Sequence, residues 1–285
     1  MTPFTNALCA VDGTSESLAA VDHAAALVGT EGHITLLVVT AFRNQPGVRT
    51  PAIQPGVATE IVAQTLQRAE RAGVSASVVV DPEGPPARVI LQWAADHDLL
   101  AIGVPSTRWF GAMLMGGVAA AAEDSLYTPL LVSHETPQEI AWPARILVAS
   151  DGRDESDGLV EFAGILARAQ GASVTLLHAL GAESRLRPHR IQHHRIERQA
   201  EGLEQLLGGN SDLRIELGNP RKLVVETARE VDASLIVMSS RRLRGPHAVG
   251  SVSRRVVHHA GCAVLLMPPE SLASRGSVAP ATIAA

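Results

Sequence analysis

Two stretches of this chain carry residues whose types and spacing suit anion chemistry. The first joins Gly103, Ser106, Gly116, Gly117 and Val118, with nine residues between Ser106 and Gly116. Glycines let backbone N–H groups approach a phosphate, and a helix opening at Gly116–Val118 would add the attraction of its dipole. The second joins Ser239, Arg241, Arg242, Arg244, Gly250 and Ser251, with only seven residues from Arg242 to Gly250. Guanidinium forks match phosphate geometry, so this shorter loop can also line an anion site. Its plainer alternative is a set of arginines that are solvated or paired with carboxylates. Asp12 and Asp151 each follow an apolar run and precede a glycine, where a carboxylate can accept from hydroxyls.

Other constellations promise less. His189 and His193 have the i, i+4 spacing of zinc ligands, but the arginine-rich segment around them reads as a solvated basic face. His178 ends an apolar strand and reads as a hydrogen-bonded core histidine rather than a ligand. His258 and His259 suit the negative end of a helix dipole, and Asp96 and Asp98 read as a solvated turn. No Gly-x-Ser-x-Gly, His-Glu-x-x-His, Cys-x-x-Cys or Gly-x4-Gly-Lys pattern occurs, and Lys222 falls in a helix after Gly218. Efficient turnover has no visible agent, so no enzyme and no metal centre are expected.

The elements that must position these residues repeat. In the first half, Ala7–Val11, Ile34–Val39, Val74–Val80, Leu99–Val104 and Pro129–Ser133 read as buried strands. Thr14 and Ser15 can cap a helix whose Leu18, Val21, Ala25 and Val28 share a face, and a second helix is expected over Ala58–Ala72. A third helix starts at Pro86 and turns Val89, Ile90, Trp93 and His97 inward. Gln45–Gly56 reads as irregular. The plan restarts at Arg145–Ser150, and Asp151, Gly171, Gly218, Gly250 and Ala263 repeat Asp12, Gly32, Gly84, Gly116 and Pro129 at offsets drifting from 139 to 134. Strand–helix alternation of this kind predicts an α/β fold: two tandem doubly wound, Rossmann-like domains, each a five-stranded parallel sheet with helices on both faces. The expected division is residues 1–136, a linker at 137–143, a second domain over 144–269 and a disordered tail from 270.

Bulk properties agree with this plan and narrow the partners. The 285 residues are 46% hydrophobic but only 3% aromatic, so the cores must be aliphatic. Residues 1–140 carry six Arg or Lys and fourteen Asp or Glu; residues 141–285 carry eighteen and fifteen. That balance is too weak for a nucleic-acid footprint. No apolar run reaches membrane-spanning length and no basic n-region opens the chain, so a cytoplasmic protein without a membrane partner is expected. Cys9 and Cys262 read as buried, inert thiols.

Val11-Asp12-Gly13, Leu176-Leu177-His178, Ile146-Leu-Val-Ala-Ser-Asp-Gly152 and the glycine loop before a helix together resemble the universal stress proteins, over almost the whole chain. The resemblance implies a fold of the adenine nucleotide alpha hydrolase-like type and a regulatory, non-catalytic role in stress response. It also implies an adenine nucleotide as ligand, ATP or AMP, with or without Mg. By that resemblance Asp12 and Asp151 face base or ribose, Val39 and Ala179 meet adenine through backbone, and the loop residues hold phosphate. The family's Gly-x2-Gly-x9-Gly-(Ser/Thr) is altered here, since Ser106 and Gly117 replace its second and last members. In the second copy Ser239 and Arg242 replace glycines, whereas Gly250–Ser251 is kept. An interaction scaffold with degenerate loops is the rival. The resemblance further implies that Leu130–Val132 and Val264–Leu266 pair edge to edge, within the chain or in a homodimer.

Overall fold

A computed structural model of the chain describes residues 2–40, 42–45, 48–51, 53–82, 84–104, 127–134, 142–180, 190–240 and 252–275. The first half runs β1 (Asn6–Ala10), α1 (Ser15–Val28), β2 (His33–Val39), β3 (Phe42–Gln45), β4 (Val48–Pro51), α2 (Pro55–Arg71), β5 (Ser75–Asp81), α3 (Pro86–Ala94), β6 (Leu99–Gly103) and β7 (Leu130–Ser133). The second runs β8 (Arg145–Ser150), a 3-10 turn (Asp154–Ser156), α4 (Asp157–Gln170), β9 (Ser173–Leu180), α5 (Arg190–Leu207), β10 (Ser211–Leu217), α6 (Pro220–Glu230), β11 (Leu235–Ser239), α7 (Val252–His259), β12 (Ala263–Met267) and α8 (Pro269–Arg275).

Ten strands form one sheet in the order β10-β9-β8-β11-β12-β7-β6-β1-β2-β5. Each half contributes five mutually parallel strands. The halves meet where β7 and β12 pair antiparallel, Leu131 opposite Leu265 and Val132 opposite Val264. The edge pairing expected of Leu130–Val132 and Val264–Leu266 is thus made inside the chain, and the register keeps like faces together. Leu131 and Leu265 belong to the apolar core under α1, α2, α4 and α5, whereas Leu130, Val132, Val264 and Leu266 belong to the core on the other face. Both cores run through both halves.

Local chemistry explains the element ends. Thr14 caps α1 by accepting from the Ser17 amide at 3.3 Å, and Gly29 ends the helix at φ 72°. Pro55 takes the first helical position of α2, which therefore starts three residues before the expected Ala58. The buried face of α1 is wider than its heptad pattern suggests and includes Ser17 and His23, because the helix also packs towards the junction of the halves.

Three expectations are corrected. The stretch read as irregular contains β4, which pairs with β3 just before it in a hairpin that sets Phe42 opposite Pro51. The segment from 270 opens with α8, which tucks a buried Leu272 against Gly158 of α4 instead of trailing free. Asp98 lies in no solvated turn, since its carboxylate accepts from the Thr5 amide, the Thr5 hydroxyl and the Asn6 amide at 2.8, 2.9 and 3.0 Å, pinning the start of β1.

Both thiols are buried as expected, and burial raises each thiol's pKa, that of Cys262 to about 12. The native protein should therefore leave a thiol reagent such as DTNB unreacted over minutes at pH 8 while the denatured chain reacts at two sites. Rapid native reaction would show that one of the cores opens locally.

Candidate functional site

In each half the first strand of the unit leads to its second strand on one side and lies against its fourth on the other, so a crevice forms at the carboxyl ends of β1 and β6 and again at β8 and β11. Ligands of open α/β sheets collect at such switch points. Asp12, Val39 and Gly103 lie at or just beyond the ends of β1, β2 and β6, and Asp151, Ala179 and Ser239 hold the corresponding ends of β8, β9 and β11. The structure brings each trio to one end of its half-sheet. Ser106, Gly116, Gly117, Val118, Arg241, Gly250 and Ser251 lie outside the described residues, as do Arg242, Arg244, His189 and the side chain of His193.

The two aspartates are held alike. Asp12 Oδ1 accepts from the Thr14 amide at 3.1 Å and the Thr14 hydroxyl at 2.6 Å, which shapes the turn into α1. Asp151 Oδ1 accepts from the Arg153 amide at 3.1 Å and the Ser156 hydroxyl at 2.6 Å, with Arg153 Nε 3.7 Å from its other oxygen. Asp12 is exposed at the crevice rim, whereas Asp151 is half-buried. The glycine after each aspartate adopts a positive φ, 85° at Gly13 and 68° at Gly152, which explains the Asp-Gly pair in both copies.

Two features of the site escape motif reasoning. An isoleucine from the helix after the second strand covers each turn: a Cβ on Gly13 would lie 2.8 Å from Ile61, and one on Gly152 would lie 3.1 Å from Ile196. The two isoleucines keep the spacing between copies, which is the only signal that could have found them. Gly103 also has a packing role that its reading as a ligand-facing residue does not include. A Cβ there would stand 2.1 Å from the Ser17 nitrogen and 2.3 Å from the Glu16 carbonyl carbon. The glycine admits the first turn of α1 against β6. Val39, expected to meet adenine through its backbone, has its side chain buried in the core at 8% exposure.

Beneath the second crevice the packing is polar. Ser150 Oγ donates to Gln199 Oε1 at 2.9 Å and accepts from the Gly152 amide at 3.1 Å; Gln199 Nε2 donates to Asp157 Oδ1 at 2.6 Å. Arg195 on α5 pairs with Asp154 and lies 3.8 Å from Asp157. His178 Nδ1 is 3.0 Å from the Ser150 carbonyl, so it is the hydrogen-bonded core histidine expected from sequence. The described residues contain no group of three or more His, Cys, Asp or Glu able to hold a metal ion. Among them, no helix is long and apolar enough to cross a membrane.

Fold and crevices together define a tandem pair of Rossmann-like units with a switch-point opening in each. The model of the universal stress protein family matches residues 3–134 and again 144–268, and the chain belongs to that family as a two-domain member. A Staphylococcus epidermidis protein named for the family is 28% identical over 141 residues, covering 45% of this chain and 85% of the relative. The crystal structure of a universal stress protein from Archaeoglobus fulgidus superposes with a TM-score of 0.71 at 19% identity, covering 92% of this chain and 96% of that one. A Pseudomonas aeruginosa protein assigned to the family gives 0.67 at 19%, covering 96% of each. The two solved structures speak for the fold.

Proposed function

We propose that the chain binds an adenine nucleotide, ATP or AMP, in the first crevice and acts as a regulatory, non-catalytic stress-response protein of the cytoplasm. The observation that carries the reading is the exposed Asp12 at the switch point of β1 and β6, beside a strand that leads into the Gly103-x2-Ser106-x9-Gly116-Gly117 spacing. Asp12 would accept from the sugar hydroxyls, Val39 would offer backbone to the base, and the loop from Ser106 to Val118 would hold phosphate. Gly103 would support the site from behind by seating α1. Asp151, Ala179, Ser239, Arg241, Gly250 and Ser251 would form the second site. A magnesium ion would travel with the phosphates. Occupancy would order the loop, and a partner would read that order. A homodimer would form through surfaces other than β7 and β12, which already occupy each other.

One observation favours the scaffold alternative. The space on the Cβ side of Gly103 is filled by α1 backbone, so one member of the expected contact set already serves packing. Calorimetry with ATP and AMP separates the two. Binding in the micromolar range is expected, weakened about tenfold or more by Asp12→Ala, about 1.4 kcal/mol, with a ligand-dependent rise in melting temperature. Phosphate release should stay at the no-protein blank. Absence of both heat and thermal shift at millimolar ligand would decide for the scaffold.

A further inference from the structure

Where the halves join, beside the carboxyl end of β6, two histidines meet. His23 projects from α1 with Nδ1 3.0 Å from Ser133 Oγ, and its ring stacks on Trp142, centroids 4.0 Å apart at 17°. Trp142 belongs to the connection between the halves, and its indole Nε1 donates to the Ser234 carbonyl of the second half at 3.1 Å. His134, next to Ser133, holds the Val104 carbonyl through Nδ1 at 3.0 Å. Its Nε2 is buried short of a well-formed hydrogen bond, although the Val257 carbonyl of α7 faces the ring. The two residues are only 7% and 2% exposed.

Their surroundings favour neutral rings. Burial pushes His23 down to about 4, with repulsion from His134 adding to it. Burial also lowers His134, helped by His258 on α7 and opposed by the Val104 and Val257 carbonyls and by Glu16 on α1. A proton on either ring would place a charge in a nearly dry joint beside an indole, a hydroxyl and a second imidazole. The indole face would attract that cation, but water would stabilise it better, and water enters only if something moves. Trp142 is the part able to move. It is half-buried at the edge of a core, held by that packing, a stack and one indole hydrogen bond, whereas the sheet seam beside it rests on the fully buried Leu131 and Leu265 and a backbone ladder.

We infer that the His23–Trp142 stack is an acid-released clasp: on acidification the Trp142 indole leaves the junction while the sheets of both halves persist. Above the ordinary histidine pKa of about 6.5, clasped and released states are both neutral and the clasp holds fully. As pH falls from there towards 4, the released state takes up protons that the clasped state refuses, and the clasp weakens through that window.

Trp93→Phe with Trp109→Phe leaves Trp142 as the sole indole of the three in the chain. Its emission and the far-ultraviolet dichroism should be followed together from about pH 7.5 to about pH 4. A red shift of emission inside the window, with dichroism unchanged, is the expected result. His23→Gln, which can keep the Ser133 bond but cannot ionise, should move that midpoint down or remove it. Ser133→Ala, which deletes no ionisable group, should retain a transition, and His134→Gln in the same background gives an independent reading should His23→Gln fail to fold. The clasp is refuted if emission and dichroism change together, if emission stays constant to about pH 4, or if removing both imidazoles leaves the midpoint in place.

Discussion

Gly103→Ala is expected to be among the most damaging single-methyl additions this chain can receive. The new carbon would sit 2.1 Å from the Ser17 nitrogen, 2.3 Å from the Glu16 carbonyl carbon and 2.5 Å from the Ser17 α-carbon. All three are backbone atoms of a helix that also packs on β1, β2 and β7, so no rotamer change relieves the contact. Overpacking of this kind costs about 3 kcal/mol or more, which for a chain of this size lowers the melting temperature by roughly 5–10 °C. Gly202→Ala is the control. Its added carbon meets nothing within 4 Å and the position is helical, so stability should be unchanged or rise by up to about 1 kcal/mol. A Gly103→Ala protein of native stability that had lost only nucleotide affinity would reverse the assignment and return the glycine to the ligand.

Leu131→Ala and Leu265→Ala should each destabilise the protein by about 2–5 kcal/mol, and the pair should cost measurably less than the sum. The two side chains face each other across the antiparallel junction, each fully buried, so the first truncation already removes part of what the second loses. Because both cores cross this junction, urea should unfold the whole chain in one transition, and the truncations should shift that transition without splitting it. Strictly additive costs, or a wild-type curve with two well-separated steps, would mean that the halves are only neighbours.

Much of this architecture was legible because its strands are short, wholly apolar and bounded by glycine or aspartate. Asp12-Gly13 and Asp151-Gly152 announced the turns, and the repeated spacing announced the second copy. The apolar runs Leu130–Val132 and Val264–Leu266 announced the junction, since such edges must pair with something. Elements whose formation depends on distant partners were hidden. The hairpin's second strand, β4, lies among prolines and glycines that read as irregular, and α8 sets Leu272 against Gly158. Asp98 reads as solvated until Thr5 and Asn6 come alongside from ninety residues away. At the candidate site the aspartates were legible and the packing role of Gly103 was not. A glycine that receives a helix and a glycine that receives a phosphate look the same in one dimension. Trp142 and His23 were likewise unremarked, because neither belongs to a pattern until the halves close on each other.

The reversal of strand direction between β7 and β12 has a consequence for any traffic between the two crevices. All strands of one half run opposite to those of the other within a single sheet, so the two mouths open at opposite rims of the slab. No occupant of one can touch an occupant of the other. Should filling one mouth alter affinity at its twin, the message has to be mechanical, carried sideways through the leucines of the central ladder, and it should fade when those leucines are cut back.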